Sequence, residues 1–198
     1  MARLGGRRPL SQTREPAVRV GVTVTFLRMD RPPPQTSPPL SAGAEVTLDR
    51  WCTVEQYRRL YNTVGGPYVW WLRRMLPDHQ LAAMLRDPRI GIHVLHQDGE
   101  LAGFYELDRT PWPAVNISYF GLVPSAVGRG LGFAFLCNAV DAAWSMGPRF
   151  VTVNTCTADH PRALPTYVRA GFRPVRHVRE EWNVPVRLGL EIPPGLRI

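Results

Sequence analysis

Between Val123-Pro124 and a long run of helical apolar periodicity stands Gly128-Arg129-Gly130-Leu131-Gly132, a stretch whose composition suits a phosphate. Glycines let a backbone approach a ligand closely, and a helix start presents unpaired N–H groups at the positive end of its dipole. A phosphate or pyrophosphate is the expected guest, although alone the pattern also fits an ordinary glycine turn before a helix. Two nucleotide-binding alternatives fall away. No Gly-Lys-Ser/Thr closes the run as in a P-loop, and the preceding strand belongs to an antiparallel meander, not a βαβ unit.

Other side chains could handle protons or electrons. Glu106 lies in the strand-like Phe104-Tyr105-Glu106-Leu107-Asp108, where alternation sets it opposite Tyr105 and Leu107. Such a carboxylate either takes a proton from an amine through water or is a solvent-facing charge. Tyr167 sits in a helical stretch and is by pattern a packed tyrosine. His93 and His96, on another strand, read as ordinary core or surface histidines. Cys52, Cys137 and Cys156 are odd in number and widely spaced, so they make neither a metal-ligand pair nor a disulfide framework. Cys137 and Cys156 read as small core residues.

The elements that would position these groups follow from periodicity and punctuation. Val18 to Leu27 alternates with β-branched residues and predicts a strand; Arg31 to Pro39, with five prolines, predicts an extended connector. Thr53-Val54-Glu55-Gln56 fits a capping box, opening a helix that should stop by Gly65-Gly66. Asp78 is expected to cap a second, short helix ending before Pro88. Ile90 to Gln97 and Glu100 to Asp108 predict strands joined by an Asp98-Gly99 hairpin turn. Ala114 to Val123 predicts a third strand and Gly128 to Met146 a helix. Arg149 to Thr155 then reads as a strand, Pro161 to Ala170 as a helix and Val175 to Val184 as a final strand. This order predicts a mixed α/β sheet, with no internal repeat.

Asp159-His160-Pro161-Arg162-Ala163-Leu164-Pro165-Thr166-Tyr167-Val168-Arg169-Ala170-Gly171-Phe172 resembles the closing helix of the GNAT (GCN5-related N-acetyltransferase) superfamily, where Ala, Leu and Tyr precede a Gly-Phe corner. The Gly-x-Gly helix start resembles the same family's pyrophosphate loop, and one strand separates the two motifs, as in the family. At the level of element order the likeness covers about residues 45 to 182. There are two departures. Val127 stands three residues before Gly130-Leu131-Gly132, where the family usually carries Gln or Arg, and His160 stands where Asn is common.

The resemblance implies a GNAT-like fold: a mixed, mostly antiparallel central sheet flanked by helices, with a splayed strand pair that binds CoA. It implies transfer of an acetyl group from acetyl-CoA to a primary amine, by direct attack without a covalent enzyme intermediate. Carried over by position, Leu122 and Val123 would lie along the cofactor, and Gly128, Arg129, Gly130, Leu131 and Gly132 would take the pyrophosphate. Asn154 and Thr155 would face them across the split, with His160 at the family's Asn position. Tyr167 matches the tyrosine near the thioester sulfur: a phenol can donate a proton to a departing thiolate held close. Asn116 occupies a place where some relatives are acidic, which leaves Glu106 as the base candidate. Tyr61, Trp70, Trp71, Tyr105 and Tyr119 are expected to line the acceptor pocket, although most aromatics at such spacing are core. Consecutive Trp70-Trp71 cannot both face one core, and the neighbouring Arg73 and Arg74 hint at a carboxylate-bearing acceptor.

Composition bounds these readings. With 198 residues, 44% hydrophobic and 20% charged, the chain predicts one soluble globular domain over residues 17–198, preceded by a disordered basic tail over 1–16. Of the net +8, residues 1–31 carry +5, from seven arginines against Glu15 and Asp30, so the charge is mainly a tail property and nucleic acid is not an expected partner. The mildly basic remainder suits a polyanionic cofactor. No apolar run reaches the ~20 residues of a membrane span, and the N-terminus lacks the apolar core of a secretory signal, which predicts a cytoplasmic protein. A small-molecule or peptide amine is the expected partner, and a homodimer is left open. A CoA-binding protein without catalysis, acting as a sensor or interaction module, is the alternative.

Overall fold

A computed structural model of the chain describes residues 15–198. Apart from Glu15 and Pro16, the expected tail lies outside the described residues. Seven strands make one sheet: β1 (Ala17–Met29), β2 (Ala44–Asp49), β3 (Ile90–Gln97), β4 (Glu100–Asp108), β5 (Ala114–Leu122), β6 (Phe150–Cys156) and β7 (Arg173–Pro185). Their order is β2-β3-β4-β5-β6-β1-β7, antiparallel throughout except for the parallel β5–β6 pair. Four helices accompany it: α1 (Val54–Gly65), α2 (Asp78–Leu85), α3 (Leu131–Trp144) and α4 (Ala163–Arg169).

Local chemistry explains most of these boundaries. Thr53 caps α1, its Oγ1 accepting from Gln56 N at 3.2 Å while Gln56 Oε1 accepts from Thr53 N at 2.8 Å, so two orphan donors are satisfied reciprocally. Tyr57, Leu60, Tyr61 and Val64 form its buried stripe. Asp98 and Gly99 both take positive φ, 52° and 82°, the geometry whose twist matches a tight hairpin. Asp78 is not a cap: Pro77 holds that position, and Asp78, in the first turn of α2, accepts from Arg58 Nη2 at 2.6 Å.

The packing on the sheet explains how the middle of β4 is buried without interruption. Tyr105 packs against Phe135 of α3, whereas the next residue, Glu106, meets Tyr57 of α1. Successive residues of a strand point to opposite faces, so α1 and α3 cover opposite sides of the sheet and Ala102 to Leu107 is buried on both. A second, smaller cluster, Val20, Val22, Val24, Val69, Ala158, Val184 and Ile192, is built mainly on β1 and β7.

Three features depart from the order expected from sequence. The strand before the glycine loop closes the β3–β5 meander but also opens a βαβ crossover, because α3 joins β5 to the parallel β6. β2 was not anticipated: Ala44–Asp49 is a short edge strand with weak alternation, paired to β3. The strand at Val18 to Leu27 is present, but it lies far from its sequence neighbours, between β6 and β7, antiparallel to both. Its partners come more than a hundred residues later, and no local pattern encodes such a pairing.

Candidate active site

The parallel pairing of β5 and β6 stops at Ile117–Val153. Beyond it β5 continues with β4 as far as Leu122, while β6 continues with β1 as far as Cys156. The edge of Ser118–Leu122 that faces β6 therefore has no strand partner, and a cleft of about 1170 Å³ opens along it. A bulge at Ser118 marks the divergence, since Glu106 pairs with Tyr119 but Leu107 pairs with Ile117. The inserted residue bends the strand and re-aims its amides. Below the split, Asn116 Oδ1 accepts from Thr152 Oγ1 at 2.9 Å, clamping the last paired rungs.

The glycine loop borders one side of this cleft. Gly128 and Gly130 have φ of 83° and 85°, which side chains with a Cβ rarely adopt, and a Cβ at either would meet nothing within 4 Å. The glycines are required by backbone conformation, and they leave the approach to the α3 N-terminus open. Gly130 is the N-cap of α3, so the unpaired N–H groups of its first turn face this loop. Gly128, Gly130 and Gly132 line the cleft; Arg129 is exposed outside it and Leu131 points into the core. Leu122 lines it as expected. Val123 does not: it is buried, and its N–H donates to Ala102 O at 2.9 Å.

Across the split, Asn154 is an exposed lining residue, but Thr155 is buried with its hydroxyl donating to Asp159 Oδ2 at 2.8 Å. Asp159 also accepts from Cys156 N at 2.9 Å and from Trp70 Nε1 at 3.3 Å, tying the start of the α4 segment to β6 and to the loop after α1. His160 lines the cleft and accepts the Arg162 N–H on Nδ1 at 3.1 Å. Tyr167 reaches the cleft from α4, wedged edge-on between Phe120 and Phe172. Its hydroxyl has no hydrogen-bond partner among the described residues. Burial, reinforced by the negative charge of Asp159, raises its pKa, so the phenol is protonated at neutral pH.

Glu106 is placed differently from the expectation. It is 0% exposed, lies outside the cleft lining, and has both oxygens engaged: Oε2 accepts from Tyr57 Oη at 2.5 Å and Oε1 from Arg73 Nη2 at 2.6 Å. A fully enclosed, doubly bonded carboxylate is an anchor for Arg73 and not a free base in the cleft, because no water reaches it to relay a proton. Burial alone would lower the Arg73 pKa, but the attraction of Glu106, with Tyr57 and Tyr119, outweighs it and the pKa rises. Tyr57 is pushed up by burial and by the Glu106 charge.

The expected acceptor aromatics divide. Tyr61, Trp70, Trp71 and Tyr119 line the cleft, with Tyr61 edge-on to Tyr119 at 4.9 Å and Trp70 5.0 Å from Tyr119. A Cβ at Gly65 would stand 2.4 Å from the Trp70 ring, so the missing side chain lets Trp70 fold over the end of α1. Trp70 packs on the main core, while Trp71 turns to the second cluster and meets Trp182 at 6.5 Å. Tyr105 is a correction: it faces α3, stacks on His93 and donates to Asn138 Oδ1 at 2.9 Å, away from the cleft. The arginines beside Trp71 are engaged too. Arg73 pairs with Glu106, and Arg74 Nε donates to Trp70 O at 3.1 Å, so the hint of a carboxylate-bearing acceptor loses its support.

Several lining residues escaped sequence reasoning. Arg169, in the last turn of α4, lies over the Phe133 ring at 3.8 Å, beside the start of α3, and Arg162 borders the same wall. Phe26 of β1 and Glu180 and Trp182 of β7 also line the cleft. Nothing in the local sequence marks them, because their place depends on β1 entering the sheet beside β7. Cys156 lines the cleft rather than sitting in the core, and burial with the Asp159 charge pushes its thiol up to about 12. Burial similarly raises Cys52 to about 12 and raises Cys137, so none of the three thiols is a ready nucleophile.

An open parallel strand pair, a glycine turn at a helix start and a buried tyrosine thus surround one cleft. Residues 51–172 match the Acetyltransferase (GNAT) family, and the chain belongs to that family. Solved structures agree in fold. A GCN5-related N-acetyltransferase from Sphaerobacter thermophilus aligns with TM-score 0.59 at 19% identity, over 86% of this chain and 53% of that one. One from Kribbella flavida gives 0.57 at 15%, over 83% and 60%. A tandem GNAT protein from the clavulanic acid biosynthesis pathway gives 0.59 at 17%, over 85% and 55%. At these identities the likeness is one of fold, and this chain spans 53–60% of the length of those proteins. No curated protein matches. Among the described residues, no helix is long and apolar enough to cross a membrane.

Proposed function

We propose that the chain moves an acetyl group from acetyl-CoA to a primary amine by direct attack. The observation that carries this reading is the coincidence, around one cleft, of the unpaired β5 edge, the open Gly128–Gly130 turn at the α3 N-terminus and the unengaged Tyr167 hydroxyl. The cleft residues fit such a ligand. Unpaired amides along Ser118–Leu122 can hold an extended amide-bearing chain, the start of α3 suits a pyrophosphate, and Arg162 and Arg169 add positive charge on the same wall. Acetyl-CoA would supply an activated thioester.

The chain's own residues would do the rest. Amides on the open β5 edge orient the thioester carbonyl and receive its growing negative charge. As the amine nitrogen bonds to the carbonyl carbon and the C–S bond breaks, Tyr167 Oη, kept protonated by burial, donates its proton to the departing sulfur. The proton shed by the new amide nitrogen passes to solvent in the open cleft, from which Tyr167 is reprotonated. Glu106 holds Arg73 and the turn that carries it, while Trp70 and Tyr119 exclude water from the acceptor side. With the cysteine thiols protonated, transfer needs no acyl-enzyme.

A second reading, binding without catalysis, is favoured by two observations: Val127 in place of a polar residue and a Glu106 closed off from the cleft. One experiment separates the two. Acetyl-CoA titrated into the purified protein should raise its melting temperature with saturation, and amines should then release free thiol. Tyr167→Phe should lower kcat by about 10²–10⁴-fold while leaving the acetyl-CoA Kd unchanged. Saturable binding with no thiol release from any amine would favour the binding-only reading; no binding up to millimolar cofactor would end both.

A further inference from the structure

The cleft lining carries chemically distinct groups. Arg162, Arg169 and His160 belong to the wall formed by α4 and its approach. The part contributed by β7 carries a carboxylate next to indole rings. Glu180 and Trp182 lie two residues apart on β7 and therefore share a face, while Glu181, between them, points the other way and pairs with Arg19. Trp182 Nε1 donates to Glu180 Oε2 at 2.8 Å, which fixes the carboxylate against the indole. Trp71 meets Trp182 at 6.5 Å and 50°, and Phe26 continues the wall.

Glu180 is half-buried, yet among the described residues it has no basic group within salt-bridge distance and no second hydrogen bond. Its contrast with the other carboxylates around the cleft is chemical: Glu106 is neutralised by Arg73, and Asp159 accepts three hydrogen bonds. Arg176, on the same face of β7, lies instead over Phe26 at 5.5 Å. A partly desolvated carboxylate held at an indole N–H edge, with no basic side chain to neutralise it, favours a cationic group through charge pairing.

Strand order gives the distance scale. β7 stands two strands from β6, about 10 Å at ordinary sheet spacing, so Glu180 is offset from the split where the thioester would lie. We propose that Glu180, with Trp71 and Trp182, binds a second cationic group of the acceptor, remote from the amine that reacts. The acceptor class is then a diamine or a longer polyamine, not an amino acid that presents its carboxylate. Phe26, Glu180 and Trp182 all lie outside residues 51–172, so this specificity wall belongs to the part of the chain that the family match does not include.

The inference rests on the acetyltransferase reading, and its test separates the two. The wild-type protein is assayed for thiol release with hexylamine, hexane-1,6-diamine and 6-aminohexanoate, which share a reacting amine and differ at the far end. The expected order of kcat/KM is diamine, then hexylamine, then aminohexanoate. Glu180→Gln should raise KM for the diamine by about 10- to 100-fold, leave hexylamine within a few-fold, and spare acetyl-CoA binding. Calorimetry with hexane-1,6-diamine should show binding that Glu180→Gln weakens by a similar factor, whether or not turnover is seen. An order led by aminohexanoate, or diamine binding indifferent to Glu180→Gln or absent altogether, would overturn the proposal while leaving the acetyltransferase reading intact if any of the amines releases thiol. Failure of acetyl-CoA to bind is the separate result that removes the enzyme reading.

Discussion

Replacing Glu106 by Gln is the sharpest perturbation of the cleft's foundations. Two donors converge on this carboxylate, Tyr57 Oη at 2.5 Å and Arg73 Nη2 at 2.6 Å, and the carboxylate itself is fully buried. A glutamine offers one acceptor oxygen and places an N–H₂ against the other donor. Arg73 then keeps its charge without a counter-ion, with its Nε already buried and unpartnered. Breaking a buried pair from one side costs about 3–5 kcal/mol, and the Arg73 side chain is 24% exposed, so the lower end applies, about 3 kcal/mol. At roughly 2–4 °C per kcal/mol for a domain of this size, Tm should fall by about 6–12 °C. The double variant Glu106→Leu/Arg73→Met, which removes both charges, should recover most of that loss. Urea unfolding of the wild type, Glu106→Leu, Arg73→Met and the double variant closes the cycle. A Glu106→Gln protein within about 0.5 kcal/mol of wild type would refute the enclosed pair. The same variant tests the role: an anchor leaves the acidic limb of the kcat profile in place well below Tm, whereas removing a base would abolish it.

The loop glycines should respond unequally. Gly130→Ala, at φ 85°, should cost about 1–2 kcal/mol and weaken acetyl-CoA binding. Gly132→Ala, whose Cβ would make an ordinary 3.7 Å contact with Leu122, should be neutral or stabilising; equal effects in thermal melts would contradict the assigned backbone. His93, stacked on Tyr105, is held by burial at a pKa of about 4, below its unfolded value of about 6.5. A lowered histidine pKa means the unfolded chain binds the extra proton. The stability from keeping His93 neutral is therefore present above pH ~6.5 and is lost as pH falls towards 4, by about 2–3 kcal/mol. Chemical denaturation at both ends of that window should show this slope in the wild type and its loss in His93→Gln; parallel slopes would sink it.

The sequence by itself determined what local chemistry can determine. The capping box at Thr53, the Asp98-Gly99 hairpin, the glycine turn opening α3 and the Tyr167 to Phe172 corner are each short-range patterns, and each took the form their residues require. Only the tertiary structure decided what depends on contacts remote in sequence. Alternation put Glu106 and Tyr105 on opposite faces, but only the packing of α1 and α3 made one an enclosed ion pair and the other a core residue. The strand at Ala17–Met29 was visible as a strand, yet its slot between β6 and β7 is fixed by pairing with residues 151–156 and 173–185. That insertion puts Phe26 of β1 and, further along the neighbouring strand, Glu180 and Trp182 of β7 in the lining of one cleft. A strand's propensity is written in its own side chains, whereas its neighbours are chosen by the burial and hydrogen bonding of the whole sheet.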